Sequence, residues 1–141
     1  MSRYSFTHTV SASPEHVWGE VSDHEGMAGW TPQRLPLPKV TLEQEGTGHR
    51  NGVGAIRRIT LAGPPIRERI TAFEPGKLLA YEALSGVPAK SYTGEIVLEP
   101  VGSGTRFTWT IDFQPAFPGA QVVLKLAIGT LARVLARRCN R

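Results

Sequence analysis

The chain has 141 residues, 40% of them hydrophobic and 20% charged, a balance that excludes a disordered chain and a multi-span membrane protein. A chain of this length is expected to form one domain spanning residues 1–141, burying roughly two-thirds of the surface exposed when unfolded. Net charge is +4, but the arginines divide between a middle group (Arg50, Arg57, Arg58, Arg67, Arg69) and a C-terminal group (Arg133, Arg137, Arg138, Arg141); the second suits the negative end of a helix dipole, and no single basic block marks a nucleic-acid binder.

Tyr4, Phe6, His8 and Val10 alternate with Ser5, Thr7 and Thr9, the period of a strand with one face in a core. Ser13, Pro14 and Glu15 then supply an N-cap, a first-turn proline and a first-turn acid, which predicts a short helix with Val17, Trp18 and Val21 on one face. Asp23 is placed to cap a second short helix through Met27 to Trp30. Pro32, Pro36 and Pro38 around Leu35 and Leu37 exclude a helix or interior strand and predict a partly apolar loop from Thr31 to Pro38, placed to act as a lid. Strands follow at 40–45, 53–61, 65–73, 77–84, 91–99 and 104–113, divided by turn signals and therefore antiparallel. From about Gly119 the period changes. Val122, Val123, Leu126, Ile128, Leu131, Val134 and Leu135 predict a long helix, apolar over much of its circumference, which Lys125 and Arg133 make unsuited to span a membrane. A curved antiparallel sheet gripping that helix is expected. The 15 Gly and 11 Pro fall between these elements with no repeating period.

This order, with Ser13-Pro14-Glu15-His16-Val17-Trp18, Val21-Ser22-Asp23, Trp30-Thr31-Pro32, the Arg57 to Glu68 hairpin, Glu74-Pro75-Gly76-Lys77-Leu78-Leu79 and Thr105-Arg106-Phe107-Thr108-Trp109, resembles the START-like SRPBCC superfamily, in particular its bacterial polyketide cyclase/dehydrase branch. The resemblance spans nearly the whole chain. It implies an α+β helix-grip fold of about seven strands around the C-terminal helix, with an internal cavity for an apolar or amphipathic molecule. Fold alone does not choose among the carriers, receptors and cyclases that share it.

Catalytic motifs find no support. The histidines His8, His16, His24 and His49 are scattered, with His16 and His24 assigned to short surface helices and His49 to a turn, so no two-histidine, one-carboxylate metal site is expected. No glycine-rich phosphate loop or nucleophile turn occurs, and no cofactor is expected. The single cysteine, Cys139, cannot form an internal disulfide, and residues 1–25 hold no apolar run of signal-peptide length; the cytoplasm is the expected compartment.

The informative residues are polar side chains on apolar faces. His8 falls on the face of Phe6 and Val10, either as a core histidine or as a general acid or base in a cavity. If Leu61 pairs with Pro64, the short turn sets Ile59 opposite Ile66 and Arg57 opposite Glu68, on the face of Val53, Ala55 and Ile70. Arg57 and Glu68 then form either a structural ion pair or a polar anchor on a cavity wall, with Glu68 orienting the arginine. The same register puts Arg58 opposite Arg67 on the outer face, as solvated arginines or an anion-attracting patch. Tyr81, Tyr92 and Trp109 point inward, as core or as cavity lining, and a buried phenol needs a partner. Gly94, also inward, either bends its strand or leaves room for a ligand.

Two functions fit these residues. The first is binding of a hydrophobic or amphipathic small molecule, with Arg57, Glu68, Tyr81, Tyr92, Trp109 and His8 as candidate contacts. The second is a metal-free aromatase/cyclase or dehydratase in which Arg57 polarises a carbonyl and His8 or Tyr81 moves a proton; no catalytic residue is assigned. The inward-facing aromatics leave no stacking platform for nucleic acid. Stable membrane insertion is not expected, and weak homodimerisation is left open.

Overall fold

The structure is a computed structural model in which residues 2–30, 39–60 and 64–140 are described. The expected lid from Thr31 to Pro38, the Leu61 to Pro64 pairing and Arg141 lie outside, or partly outside, those residues. Tyr4, Phe6, His8 and Val10 face inward along β1 (Ser2–Val10), and Arg3, Ser5, Thr7 and Thr9 face solvent. The Ser13 hydroxyl accepts a hydrogen bond from the His16 backbone N–H at 3.3 Å and caps α1 (Pro14–Ser22), whose Val17 and Val21 are buried. Asp23 then caps a 3-10 helix (Glu25–Trp30) through the Gly26 N–H at 3.1 Å. A Cβ at Gly26 would lie 2.3 Å from the Asp23 carboxylate, so this tight cap needs glycine.

The remaining strands are β2 (Lys39–Gln44), β3 (Ile56–Thr60), β4 (Ile66–Glu74), β5 (Leu78–Ser85), β6 (Ala89–Val101) and β7 (Gly104–Pro115). They form a seven-stranded sheet in the order β1-β7-β6-β5-β4-β3-β2, with every neighbouring pair antiparallel. Hairpins connect β2 through β7 as a meander, and β1 returns beside β7. The β4–β5 turn shows how composition sets the connection: Pro75 restricts its own φ, Gly76 takes φ +77°, and the Lys77 N–H closes on the Glu74 carbonyl at 2.9 Å.

The long helix α2 (Ala120–Arg138) buries Leu124, Ile128 and Leu135 with three alanines on the side facing β1 and β7. Its close approach is set at Gly129, where a Cβ would come within 3.1 Å of the Phe6 ring. Arg138 ties the helix end to its neighbours through Glu20 at 2.9 Å and the Gly29 carbonyl at 3.0 Å. The C-terminal arginines Arg137 and Arg138 thus belong to the last helical turn, as the dipole argument expects. Phe107, Trp109, Ile111 and Phe113 of β7 are all buried beneath the helix layer. The result is a helix-grip fold. Among the described residues, no helix is long and apolar enough to cross a membrane.

Several strand boundaries differ from the sequence expectation, two of them with a clear cause. The strand placed at 53–61 begins at Ile56, because Gly54 takes φ +90° and residues 45–54 fold on themselves through Gly46 N–H to Arg50 carbonyl and Thr47 N–H to Val53 carbonyl bonds, each 2.9 Å. Val53 is consequently exposed rather than on the inner face, whereas Ala55 and Ile70 are buried there. The strand placed at 91–99 extends over Ala89–Val101, since its partner β7 is long enough to pair with all of it.

Candidate ligand site on the inner face

Arg57 on β3 and Glu68 on β4 are direct cross-strand partners, in the register with Ile59 opposite Ile66. Both face inward and are nearly inaccessible, 3% and 6% exposed. Arg57 Nε and Nη2 both reach Glu68 Oε1 at 2.8 Å. Nη1 faces His24 Nδ1 at 3.3 Å and Met27 Sδ at 3.4 Å. The guanidinium carbon lies 4.8 Å over the Tyr81 ring, in cation–π range. Of the five guanidinium N–H donors, these contacts leave one Nη2 hydrogen for anything else. A charge pair this enclosed is neutral as a unit, and each partner depends on the other.

His24 corrects the sequence reading. It does not lie on a surface helix but is fully buried in the turn before the 3-10 helix. Its Nε2 donates to the Asn51 carbonyl at 2.9 Å, which leaves the Nδ1 lone pair to accept from Arg57. Burial, and then the adjacent Arg57 charge, push its pKa down to about 4, so the ring is neutral near pH 7. The route by which the sequence could have revealed it is the 3-10 repeat. At three residues per turn, His24, Met27 and Trp30 stack on one ridge, and that ridge faces Arg57 and the aromatic core.

Next to Arg57, Trp109 Nε1 donates to the Tyr81 hydroxyl at 3.0 Å, and the Tyr81 and Tyr92 hydroxyls meet at 3.4 Å. Burial raises both phenols, Tyr81 to about 12, so both are protonated donors near pH 7. Gly94 leaves no room for a ligand: a Cβ there would sit 2.3 Å from the Tyr81 ring, so its missing side chain makes space for that tyrosine. His8 lies apart, half-buried and stacked on Phe107 at 5.4 Å. The structure therefore brings together Arg57, Glu68, Tyr81, Tyr92 and Trp109, leaves His8 outside the group, and adds His24, Met27 and Trp30, which sequence reasoning had not singled out.

The inner face is not uniformly closed. Beside the Arg57–Glu68 pair, Ile59, Ile66 and Ala83 are only half-buried, whereas Trp109 and its neighbours are sealed. On the outer face Arg58 does oppose Arg67, but Glu43 takes Arg67 in a two-pronged contact at 2.7 and 2.8 Å, so the like charges do not form an open anion patch. Two clefts are also present. One of about 450 Å³ is lined by Ala12, Ser13, His16, Glu20, Arg138 and Cys139, and one of about 250 Å³ lies near Arg3, Thr93 and Asp112, with Tyr81 and Gly94 also in its lining. Among the described residues, no group of three or more His, Cys, Asp or Glu is arranged to hold a metal ion.

The model of the family described as polyketide cyclase / dehydrase and lipid transport matches residues 1–141. No curated protein matches the sequence. Among solved structures, a START superfamily protein from Mycobacterium smegmatis superposes with a TM-score of 0.78 at 20% identity, covering 97% of this chain and 96% of the other. The protein XoxI from Bacillus cereus gives a TM-score of 0.74 at 20% identity, covering 99% and 96%. Ara h 8.0201 gives 0.70 at 15% identity, covering 95% and 94%. These likenesses establish the START-like fold.

Proposed function

The chain belongs to the polyketide cyclase / dehydrase and lipid transport family, and from that membership we propose that it binds a hydrophobic or amphipathic small molecule between the inner sheet face and α2. The observation that carries this reading is the half-buried apolar strip of Ile59, Ile66 and Ala83 running directly onto a buried polar group, Arg57 with Glu68. Apolar side chains on an inward face are normally covered. A strip left half-open beside a few convergent polar groups has the composition of a ligand wall. The apolar body of the ligand covers the strip, and its polar end meets the remaining Arg57 Nη2 hydrogen and the phenols of Tyr81 and Tyr92, with Trp109 holding Tyr81 in place.

Native mass spectrometry of freshly purified protein, followed by NMR titration with 2-ethylnaphthalene, tests the reading. The expected result is a co-purifying apolar molecule, or saturable shifts at Ile59, Ile66 and Ala83. Protein free of bound molecules whose spectrum does not respond to the probe would overturn it.

Binding is favoured over catalysis by the groups that sit beside Arg57, since His8, the other candidate proton carrier, lies apart from it, stacked on Phe107. A cyclase or dehydratase needs a side chain that exchanges a proton near neutral pH. Tyr81 is pushed up to about 12, and His24 is down at about 4 with both ring nitrogens engaged. Arg57 polarising a ligand carbonyl is compatible with either activity.

A further inference from the structure

Among the described residues two buried side-chain atoms have no hydrogen-bond partner, the donor Trp30 Nε1 and the acceptor Asn51 Oδ1, and the buried phenols carry a hydrogen that their own contacts do not use. Trp109 Nε1–H, Tyr81 O–H and Tyr92 O–H contribute three hydrogens, but only two contacts join these groups, Trp109 to Tyr81 and Tyr81 to Tyr92. Whichever phenol donates to the other, one hydroxyl hydrogen is left over. The phenol–phenol contact is also long at 3.4 Å, when such bonds usually lie near 2.7 to 2.8 Å. Trp30 adds a further donor. It is 6% exposed, its indole packs edge-on against Trp109 at 6.5 Å and 86°, and its Nε1 is buried with no hydrogen-bond partner among the described residues. A buried donor without an acceptor is unfavourable, and native interiors hold few of them.

Charge narrows what completes this group. Arg57 and Glu68 cancel, and His24 is neutral, so the cluster has no net positive charge to receive an anion. A buried ligand carboxylate would lack a counter-charge. A neutral acceptor oxygen meets the surplus donors without that penalty.

We propose that Trp30 is a specificity-determining ligand contact, whose Nε1–H, together with the surplus phenol hydrogen of the Tyr81–Tyr92 pair, selects a neutral ligand bearing a carbonyl-type oxygen over its hydrocarbon or carboxylate counterpart. This rests on the proposed function and assigns Trp30 a role that packing alone does not require. Trp30 reaches the site through the same 3-10 ridge that sets His24 and Met27 against Arg57. The ridge thus offers two side chains to the ion pair and a third to the ligand.

The test compares three probes of similar shape: 2-acetylnaphthalene, 2-ethylnaphthalene and 2-naphthoate. Wild-type protein is expected to bind the ketone about ten-fold more tightly than the hydrocarbon, a single-hydrogen-bond-sized preference of about 1.4 kcal/mol, and the carboxylate no more tightly than the hydrocarbon at pH 7. Trp30→Phe keeps an aromatic ring and removes the N–H, so the ratio of ketone to hydrocarbon affinity should fall to about one, whatever the absolute affinities become. Equal wild-type affinity for ketone and hydrocarbon would mean that water satisfies Trp30 and would overturn the proposal, as would a ketone preference that survives Trp30→Phe. If no probe binds at all, the binding reading itself fails, an outcome separable from loss of selectivity. Should Trp30→Phe not fold, the indole N–H resonance of Trp30 in wild-type protein gives the same answer. A downfield shift with the ketone but not the hydrocarbon supports the contact, and no difference between the probes overturns it.

Discussion

Arg57 and Arg67 lie on adjacent strands, and each meets a glutamate, Glu68 at 2.8 Å and Glu43 at 2.7 Å, yet they occupy opposite faces of one sheet. The side chains of the inner pair are 3% and 8% exposed, and those of the outer pair 32% and 34%. Outside, water can replace either partner at little cost. Inside, water is excluded, so the pair is held by mutual need and by His24, Met27 and Tyr81 around it. The lesson is that sheet face, rather than the residues in contact, decides whether an ion pair is an ornament of the surface or a fixed part of the interior.

Breaking the inner pair should give the largest effect. Glu68→Ala leaves the Arg57 charge buried and unpaired and should cost about 3 to 5 kcal/mol in urea denaturation, while Arg57→Met combined with Glu68→Leu should recover much of that. A single variant no less stable than the double variant would show that the interior tolerates a lone guanidinium.

A smaller effect should follow from acid. His24 has a folded pKa of about 4 against an ordinary value of 6.5. The unfolded chain therefore takes up the proton first as pH falls, and the stability that neutral His24 permits is present above pH 6.5 and lost on the way down to about 4. At 1.36 kcal/mol per pKa unit this is on the order of 3 kcal/mol. Unfolding free energies measured from pH 7 to pH 4 should fall more steeply in the wild type than in His24→Gln, and parallel curves would place the histidine in a more solvated setting.

The outer face supplies the smallest effect. Arg69→Ala removes a contact to Glu82 at 3.1 Å between side chains 46% and 38% exposed, and should cost about 0.2 to 1 kcal/mol, less in high salt. A loss that rivals the Glu68→Ala value would erase the distinction between the faces.

What the sequence made legible follows the same division. Arg57 and Glu68 could be paired because a short hairpin connection fixes register and alternation fixes the face. Tyr81, Tyr92 and Trp109 followed from alternation along long strands, where one period governs every residue. Val53 was misplaced because the same alternation was carried across Gly54, where the backbone leaves extended geometry. His24 could not be read in this way. It sits in a turn, and its burial depends on Asn51 and Arg57, 27 and 33 residues away, folding over it. Gly94 was ambiguous for a related reason: an absent side chain does not say what fills the space, and here Tyr81 does.

The position of β1 beside β7 has a consequence for biosynthesis. Ser5 and Thr110, partners in that ladder, are 105 residues apart. At translation rates of about 5 to 20 residues per second, the first strand waits roughly 5 to 20 s for the strand that completes it. During that interval Tyr4, Phe6 and Val10 have neither β7 nor α2 to cover them, while β2 through β6 can pair with neighbours as they emerge. The nascent chain thus carries an unmatched amphipathic strand until β7 emerges, an interval in which that strand is open to capture by chaperones or by other unfinished chains.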